Sequence, residues 1–170
     1  MACKINLFSL SAAVLLLIAV GGLGSCKQNN WADWKLQNDM WMAHNKTQPG
    51  VQTTSSGLQF RIIADPTPQD TRPNPTSMII CDYSLKLIDG TVIESKQNQA
   101  LYLSSTVPGF TEGCHKIHNN GDIELFIPAD LGYDYNNTDG GGYGTEGYSS
   151  FIPPYSTLIY TIHICSVSGN

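Results

Sequence analysis

Apolar and polar positions divide the chain into three zones. The first is an apolar run from Leu7 to Val20, preceded by basic Lys4. It is shorter than a comfortable membrane span and is flanked by glycines, so it reads as a targeting signal. The second, Asn29 to Asn45, reads as a short helix that contains Trp34, Met40 and Trp41 and ends before Pro49-Gly50. Its apolar stripe is ragged, and the polar run Gln52 to Ser56 reads as a linker. The third zone begins at Gly57, where the period changes to that of strands.

Leu58 to Ile62 alternates with period two, whereas Asp65 to Thr76 carries Pro66, Pro68, Pro73 and Pro75 and must be loop. Met78 to Ile88 reads as a long strand. Asp89-Gly90 is a two-residue hairpin signal, with Thr91 to Ser95 returning from it. Leu101 to Leu103 reads as a separate, shorter strand. Thr111 to Ile117, entered through Pro108-Gly109, is the expected short helix of the body. Asp122 to Ile127 alternates as a strand and stops at Pro128, Asp134 to Ser150 is a glycine-rich loop, and Thr157 to Val167 is the last strand. Short strands, a hairpin signal and one embedded helix predict an antiparallel α+β domain. No internal repeat is visible.

Composition sharpens this picture in two respects. Acidic residues outnumber basic ones, 14 to 9, which leaves no basic footprint for nucleic acid. Five cysteines need sorting. Cys3 lies within the signal. The small residues of Leu23-Gly24-Ser25-Cys26, placed after the apolar run, resemble a bacterial lipoprotein box, which makes Cys26 the expected lipid acceptor. Cys81, Cys114 and Cys165 remain, in apolar surroundings and without CxxC or zinc-ligand spacing, so buried structural thiols are expected. One disulfide among the three stays open, with no spacing rule to select it.

The order of motifs from about Gly57 to Val167 resembles the FKBP-type peptidyl-prolyl isomerases. Five pieces carry the resemblance in family order: SGLQFRII, CDYSLKLIDGTVIES, VPGFTEG, IELFIPADLGY and FIPPYSTLIYTIHI. The last, an Ile-Pro-Pro followed by an apolar strand, is the most specific. The helix ahead of this stretch is similar to the extension of periplasmic and surface members. The resemblance implies a twisted antiparallel β-sheet wrapped around one short helix, with an apolar pocket between them and a short helix at the N-terminus. The expected organisation is a signal at 1–25, the lipidated cysteine with helix and linker at 26–56, and an FKBP-like domain at 57–170.

The resemblance also implies a site. Tyr83, Phe110 and Tyr160 would wall the pocket, with Phe110 as its floor where the family usually has tryptophan. Tyr133 would offer its hydroxyl, and Ile152 its backbone amide, to a substrate. Val107 and Phe151 would contact the substrate. The family usually has Phe-Asp on the return strand, and Ile93-Glu94 stands there, so Glu94 is the expected carboxylate and Ile93 the expected apolar neighbour. Near Ala100 a further family aromatic is missing. Cys114 lies one helical turn beyond Phe110 and is expected in the core, with His115 exposed. His115 and His118 have the i, i+3 spacing of a metal pair, but no acidic or thiol partner at ligand spacing.

The implied reaction is isomerisation of X-Pro bonds in polypeptide substrates. It passes through a twisted amide and needs no nucleophile, metal or cofactor. The rival reading is a non-catalytic FKBP-like chaperone, and a third is a lipoprotein that binds a glycan through its loop of aromatics and glycines. That loop also invites a calcium reading through Asp134, Asn136, Asp139 and Glu146, but EF-hand spacing fails. The sequon at Asn136 is discounted for a bacterial lipoprotein. The expected location is the bacterial cell envelope, with the chain lipid-anchored at the outer membrane or periplasmic face. Monomer and dimer both stay open.

Overall fold

The computed structural model describes residues 31–66, 71–133 and 151–168. The targeting signal, Cys26 and the 134–150 loop with its calcium and glycan readings lie outside the described residues.

Six strands form one antiparallel sheet: β1 (Gln52–Thr53), β2 (Gln59–Ala64), β3 (Met78–Lys86), β4 (Val92–Tyr102), β5 (Asp122–Ile127) and β6 (Leu158–Ser168). Their spatial order is β1-β2-β5-β6-β3-β4, which places the long β3 and β6 side by side. The inward residues of β3, β5 and β6, including Ile79, Leu85, Ile123, Leu125, Ile127, Ile162 and Ile164, build the core. The short helix α2 (Pro108–Cys114) lies against it and adds Phe110 and Cys114. This is the expected antiparallel α+β arrangement, with a further helix, α1 (Trp31–Asn45), ahead of it.

Close approach of α2 to β5 depends on two glycines. A Cβ on Gly109 would meet Ile127 Cγ2 at 2.4 Å, and one on Gly113 would meet Leu125 Cδ2 at 2.3 Å. Pro108 begins the helix because its missing N–H loses nothing at that position. The helix therefore starts three residues before the expected Thr111 and ends at Cys114 rather than Ile117.

Two further differences have physical reasons. Gln52 and Thr53 are not linker but pair with Phe60 and Gln59 as a short exposed edge strand. The return arm and the strand expected at Leu101 are one continuous β4, paired with β3 along its length. Its middle, Ser95 to Asn98, is exposed edge, so no apolar alternation marks it. Asn98 adopts a left-handed φ of 50°, and its N–H donates to Asp82 Oδ1 at 2.7 Å, where the pairing register shifts. The Asp89-Gly90 hairpin is present, with Gly90 at a φ of 87° and the Thr91 N–H bonded to Asp89 Oδ1 at 2.9 Å.

The ragged stripe of α1 also finds its reason. Trp31, Trp34, Asn38, Trp41 and Asn45 recur every three to four residues, which is a helical face. Its members are tryptophans and asparagines rather than aliphatics. Asn38 is 2 % exposed and accepts the Thr157 N–H at 2.7 Å. Asn45 donates to Gln59 Oε1 at 2.9 Å, and Gln59 in turn donates to the Met42 carbonyl at 3.0 Å. Trp41 meets Phe126 with ring centroids 5.7 Å apart. Leu36 and Met40 lie on the exposed side.

Candidate active site

The pocket lies where α2 faces the strands β3, β4 and β6. The turn Leu103–Ser105 leads into α2, and two threonines fix it. Thr106 and Thr111 both donate to the Leu103 carbonyl, at 2.9 and 2.7 Å, and their hydroxyls lie 2.8 Å apart. This directs Phe110 inward, where it is 2 % exposed. Around it Tyr83 from β3 and Tyr160 from β6 form a cluster. Ring centroids are 5.1 Å apart for Phe110 and Tyr160, 6.3 Å for Tyr83 and Phe110, and 6.0 Å for the two tyrosines. Both pairs with Phe110 are edge-to-face, the arrangement favoured by ring quadrupoles.

These rings enclose a cavity of about 190 Å³, completed by Val107, Leu101, Glu94, Ser105, Thr106 and Tyr133. Its tyrosine hydroxyls are paired. The Tyr83 hydroxyl donates to the Glu94 carboxylate, and Tyr160 shares a hydrogen bond with Tyr133. Burial is the largest cause that raises the pKa of both Tyr83 and Tyr160. The nearby Glu94 carboxylate adds to this for both, and Tyr133 does so for Tyr160. Both phenols therefore remain neutral, the form in which their hydroxyls can donate. The extra methylene of Glu94 does not break its contact with Tyr83.

Of the expected site residues, the cavity brings together Tyr83, Glu94, Val107, Phe110, Tyr133 and Tyr160. Ile93 packs against the core outside the cavity lining. Ile152 is buried nearby in the core, and Phe151 meets Trp31 of α1 with centroids 6.0 Å apart. Leu101, Ser105 and Thr106 line the cavity without having been singled out by the sequence. Leu101 carries no motif, but its position on the strand that bears Glu94 is a signal once β4 is seen as continuous.

The Cys114-His115 pair does no pocket chemistry. Burial raises the Cys114 thiol well above its ordinary range, and Cys81 is pushed up to about 12, chiefly by burial. Cys81, Cys114 and Cys165 are all free thiols, and Cys165 is only partly buried. His115 is not exposed, as the sequence led us to expect, but partly buried, with its Nε2 buried and unpaired. Burial lowers its pKa. His118 is held elsewhere, with Nδ1 2.9 Å from Asp65 Oδ2 while Arg72 Nε donates to its Nε2 at 3.2 Å. Among the described residues, no three His, Cys, Asp or Glu side chains gather as a metal-binding group.

A larger cavity of about 650 Å³ runs between α1 and the sheet. Lys35, Asp39, Lys46 and Asp130 line it along with Met42 and Tyr155. It is a groove of mixed charge with no aromatic floor, unlike the cup over Phe110.

A twisted antiparallel sheet that cradles one short helix over an aromatic-walled cup defines a class of small α+β domains. Comparison with known proteins gives the family. The sequence model described as FKBP-type peptidyl-prolyl cis-trans isomerase matches residues 69–165, and the one described as the domain amino terminal to FKBP-type peptidyl-prolyl isomerase matches residues 25–62. The chain belongs to the FKBP-type peptidyl-prolyl cis-trans isomerase family.

Among its relatives is the outer membrane protein MIP of Legionella longbeachae, 32% identical over 78% of this chain and 54% of the relative. The FKBP-type 22 kDa peptidyl-prolyl cis-trans isomerase of Escherichia coli is 30% identical over 75% of this chain and 58% of the relative. The crystal structure of FkpA from Escherichia coli superposes with a TM-score of 0.70 at 26% identity, covering 82% of this chain and 62% of that one. The chain thus spans about half the length of the relatives it matches by sequence, from 41% to 58%.

Proposed function

We propose that this protein is a peptidyl-prolyl cis-trans isomerase that assists the folding of exported polypeptides. The observation that carries this reading is the aromatic cup over Phe110, walled by Tyr83, Tyr160 and Val107. Rotation about an X-Pro bond faces a high barrier because the planar amide is stabilised by resonance. The twisted amide has lost that resonance, so its carbonyl is less polar. An apolar, water-poor cup disfavours the polar planar amide relative to the twisted form, and only such differential stabilisation accelerates the step. The proline ring sits over Phe110 between the two tyrosines. The Tyr133 hydroxyl, at the cavity edge, donates to a substrate carbonyl, and the Ile152 amide supports the same chain. The Tyr83–Glu94 pair holds one wall in place. Ile93 and Phe151 act as outer neighbours of the bound peptide.

The relatives' names support a cell-envelope location, since one is an outer membrane protein. Lipidation at Cys26 would tether the chain there, because each buried acyl methylene contributes about 0.8 kcal/mol. Mass spectrometry of the expressed chain beside Cys26→Ser tests this. A mass increment from acyl chains in the parent alone supports the anchor, and equal acyl mass in both contradicts it.

The test of the activity is a protease-free isomerisation assay on short X-Pro peptides, beside Tyr133→Phe and Phe110→Ala. Acceleration that falls in both variants supports the reading. A folded chain that binds proline peptides without accelerating their exchange supports the second reading, a non-catalytic chaperone. One observation favours that rival: β4 gives the cavity Leu101 where an aromatic would close it, while Ala100 is exposed and Ile93 lies outside the lining.

A further inference from the structure

The segment 151–157 carries Ile152 and leads directly into Tyr160, yet much of what holds it comes from α1. Trp31 meets Phe151. Trp34 Nε1 donates to Ser156 Oγ at 2.9 Å, and the Ser156 hydroxyl passes the bond on to the Pro153 carbonyl at 2.7 Å. Asn38 Oδ1 accepts the Thr157 N–H at 2.7 Å, while its amide donates to the Trp34 carbonyl at 2.8 Å. Between these bonds Tyr155 stands at a φ of 64°, a region that bulky side chains rarely adopt. Such a conformation persists only where its surroundings impose it. Here the chain is gripped on both sides of Tyr155, and Lys35 Nζ lies 6.0 Å from the centroid of its ring.

We propose that α1 positions the pocket: Trp34, acting through Ser156, and Asn38, acting through Thr157, hold the Ile-Pro-Pro turn so that Ile152 and Tyr160 face the substrate correctly. Neither α1 residue touches the cavity over Phe110, so both are positioning residues. The inference rests on the isomerase reading and deepens it, because it makes the N-terminal helix part of the catalytic geometry rather than a spacer. It also gives a reason for polar residues on the docking face. Hydrogen bonds of fixed direction set the position of a turn, which aliphatic packing alone does not do.

The test is a double-mutant cycle on the full-length chain with Trp34→Phe and Ser156→Ala, and Met40→Ala on the exposed side of α1 as control. Trp34→Phe keeps a ring but removes the donor. Each variant is expected to lower kcat/KM about fivefold, through kcat, with Tm unchanged within a few degrees. The double variant should be no worse than Ser156→Ala alone, because Ser156→Ala already removes the bond to Trp34 along with its own bond to the Pro153 carbonyl. Amide hydrogen exchange at Ser156 and Thr157 should quicken in Trp34→Phe while β5 stays protected. Multiplying losses, losses that track Tm, or equal loss in Met40→Ala would overturn the proposal. If the parent chain is inactive, the isomerase reading fails by itself. Faster exchange confined to 156–157 would then keep the clamp, and unchanged exchange would overturn it.

Discussion

The two helices dock on the same sheet by opposite chemistry. α2 is short, begins with proline, and presses glycines, Phe110 and Cys114 into an aliphatic bed formed largely by β5. α1 is twice as long and fixes itself through Asn38, Asn45 and indole rings. The first contact is tolerant in direction and intolerant in volume. The second is the reverse, because a hydrogen bond fails with angle while a polar rim accepts small changes in bulk. A pocket needs both: a dense bed to hold its floor still, and directed bonds to aim the loop at its rim.

The sharpest way to break the comparison is in the bed of α2. Leu125→Ala removes the side chain that Gly113 leaves room for, and should lower stability by about 2–5 kcal/mol in urea unfolding. Gly113→Ala should lose about 1–3 kcal/mol through overpacking, since fully buried Leu125 has nowhere to move. At α1 the decisive variant is Asn38→Leu, which adds apolar surface. It should nonetheless lose about 1–3 kcal/mol, because the Thr157 N–H stays buried without an acceptor. If Asn38→Leu stabilises the chain, α1 docks by burial like α2 and the distinction collapses.

A smaller effect tests the loop that joins β2 to β3. Burial alone would raise the Asp65 carboxyl, but the backbone N–H and ring of His118 and the charges of His118 and Arg72 together bring it below its ordinary value. A carboxylate depressed in the folded state contributes stability that is complete above the unfolded value of about 3.9 and is lost as pH falls through the folded value. The stability advantage over Asp65→Asn should therefore shrink below about pH 4. An advantage that is flat down to about pH 2 would remove the carboxylate from the account. Smallest of all, Met40→Ala on the exposed side of α1 should change stability by no more than about 0.5 kcal/mol.

Much of this was legible beforehand, for reasons that particular residues make plain. β5 and β6 have alternating or continuous apolar runs bounded by prolines, and Asp89-Gly90 dictates its turn. The pocket residues could be named because motif order placed Tyr83, Phe110 and Tyr160 on elements whose packing brings them together. What stayed hidden was polar. The middle of β4 is solvent-exposed edge, so its pairing leaves no apolar trace, and Leu101 was cut off from Glu94 as a result. The docking face of α1 contains Asn38 and Asn45, which hydropathy scores as surface. His115 looked exposed because it falls off the helical face of Phe110 and Cys114, whereas α2 ends at Cys114 and His115 caps it instead of lying on an outer face. Buried polar groups announce themselves through partners distant in sequence, as Asn38 does with Thr157, and no local pattern carries that information.

The central claim is that an aromatic cup whose phenols stay neutral lowers the X-Pro barrier without any ionising nucleophile. The most direct measurement is kcat/KM for a fixed X-Pro peptide from about pH 6 to pH 9, with and without a thiol-alkylating reagent. With the phenols of Tyr83 and Tyr160 held neutral and the Cys81 and Cys114 thiols buried and protonated, the profile should be flat and insensitive to alkylation. A rate that follows an ionisation in that range, or falls on alkylation, would contradict the account.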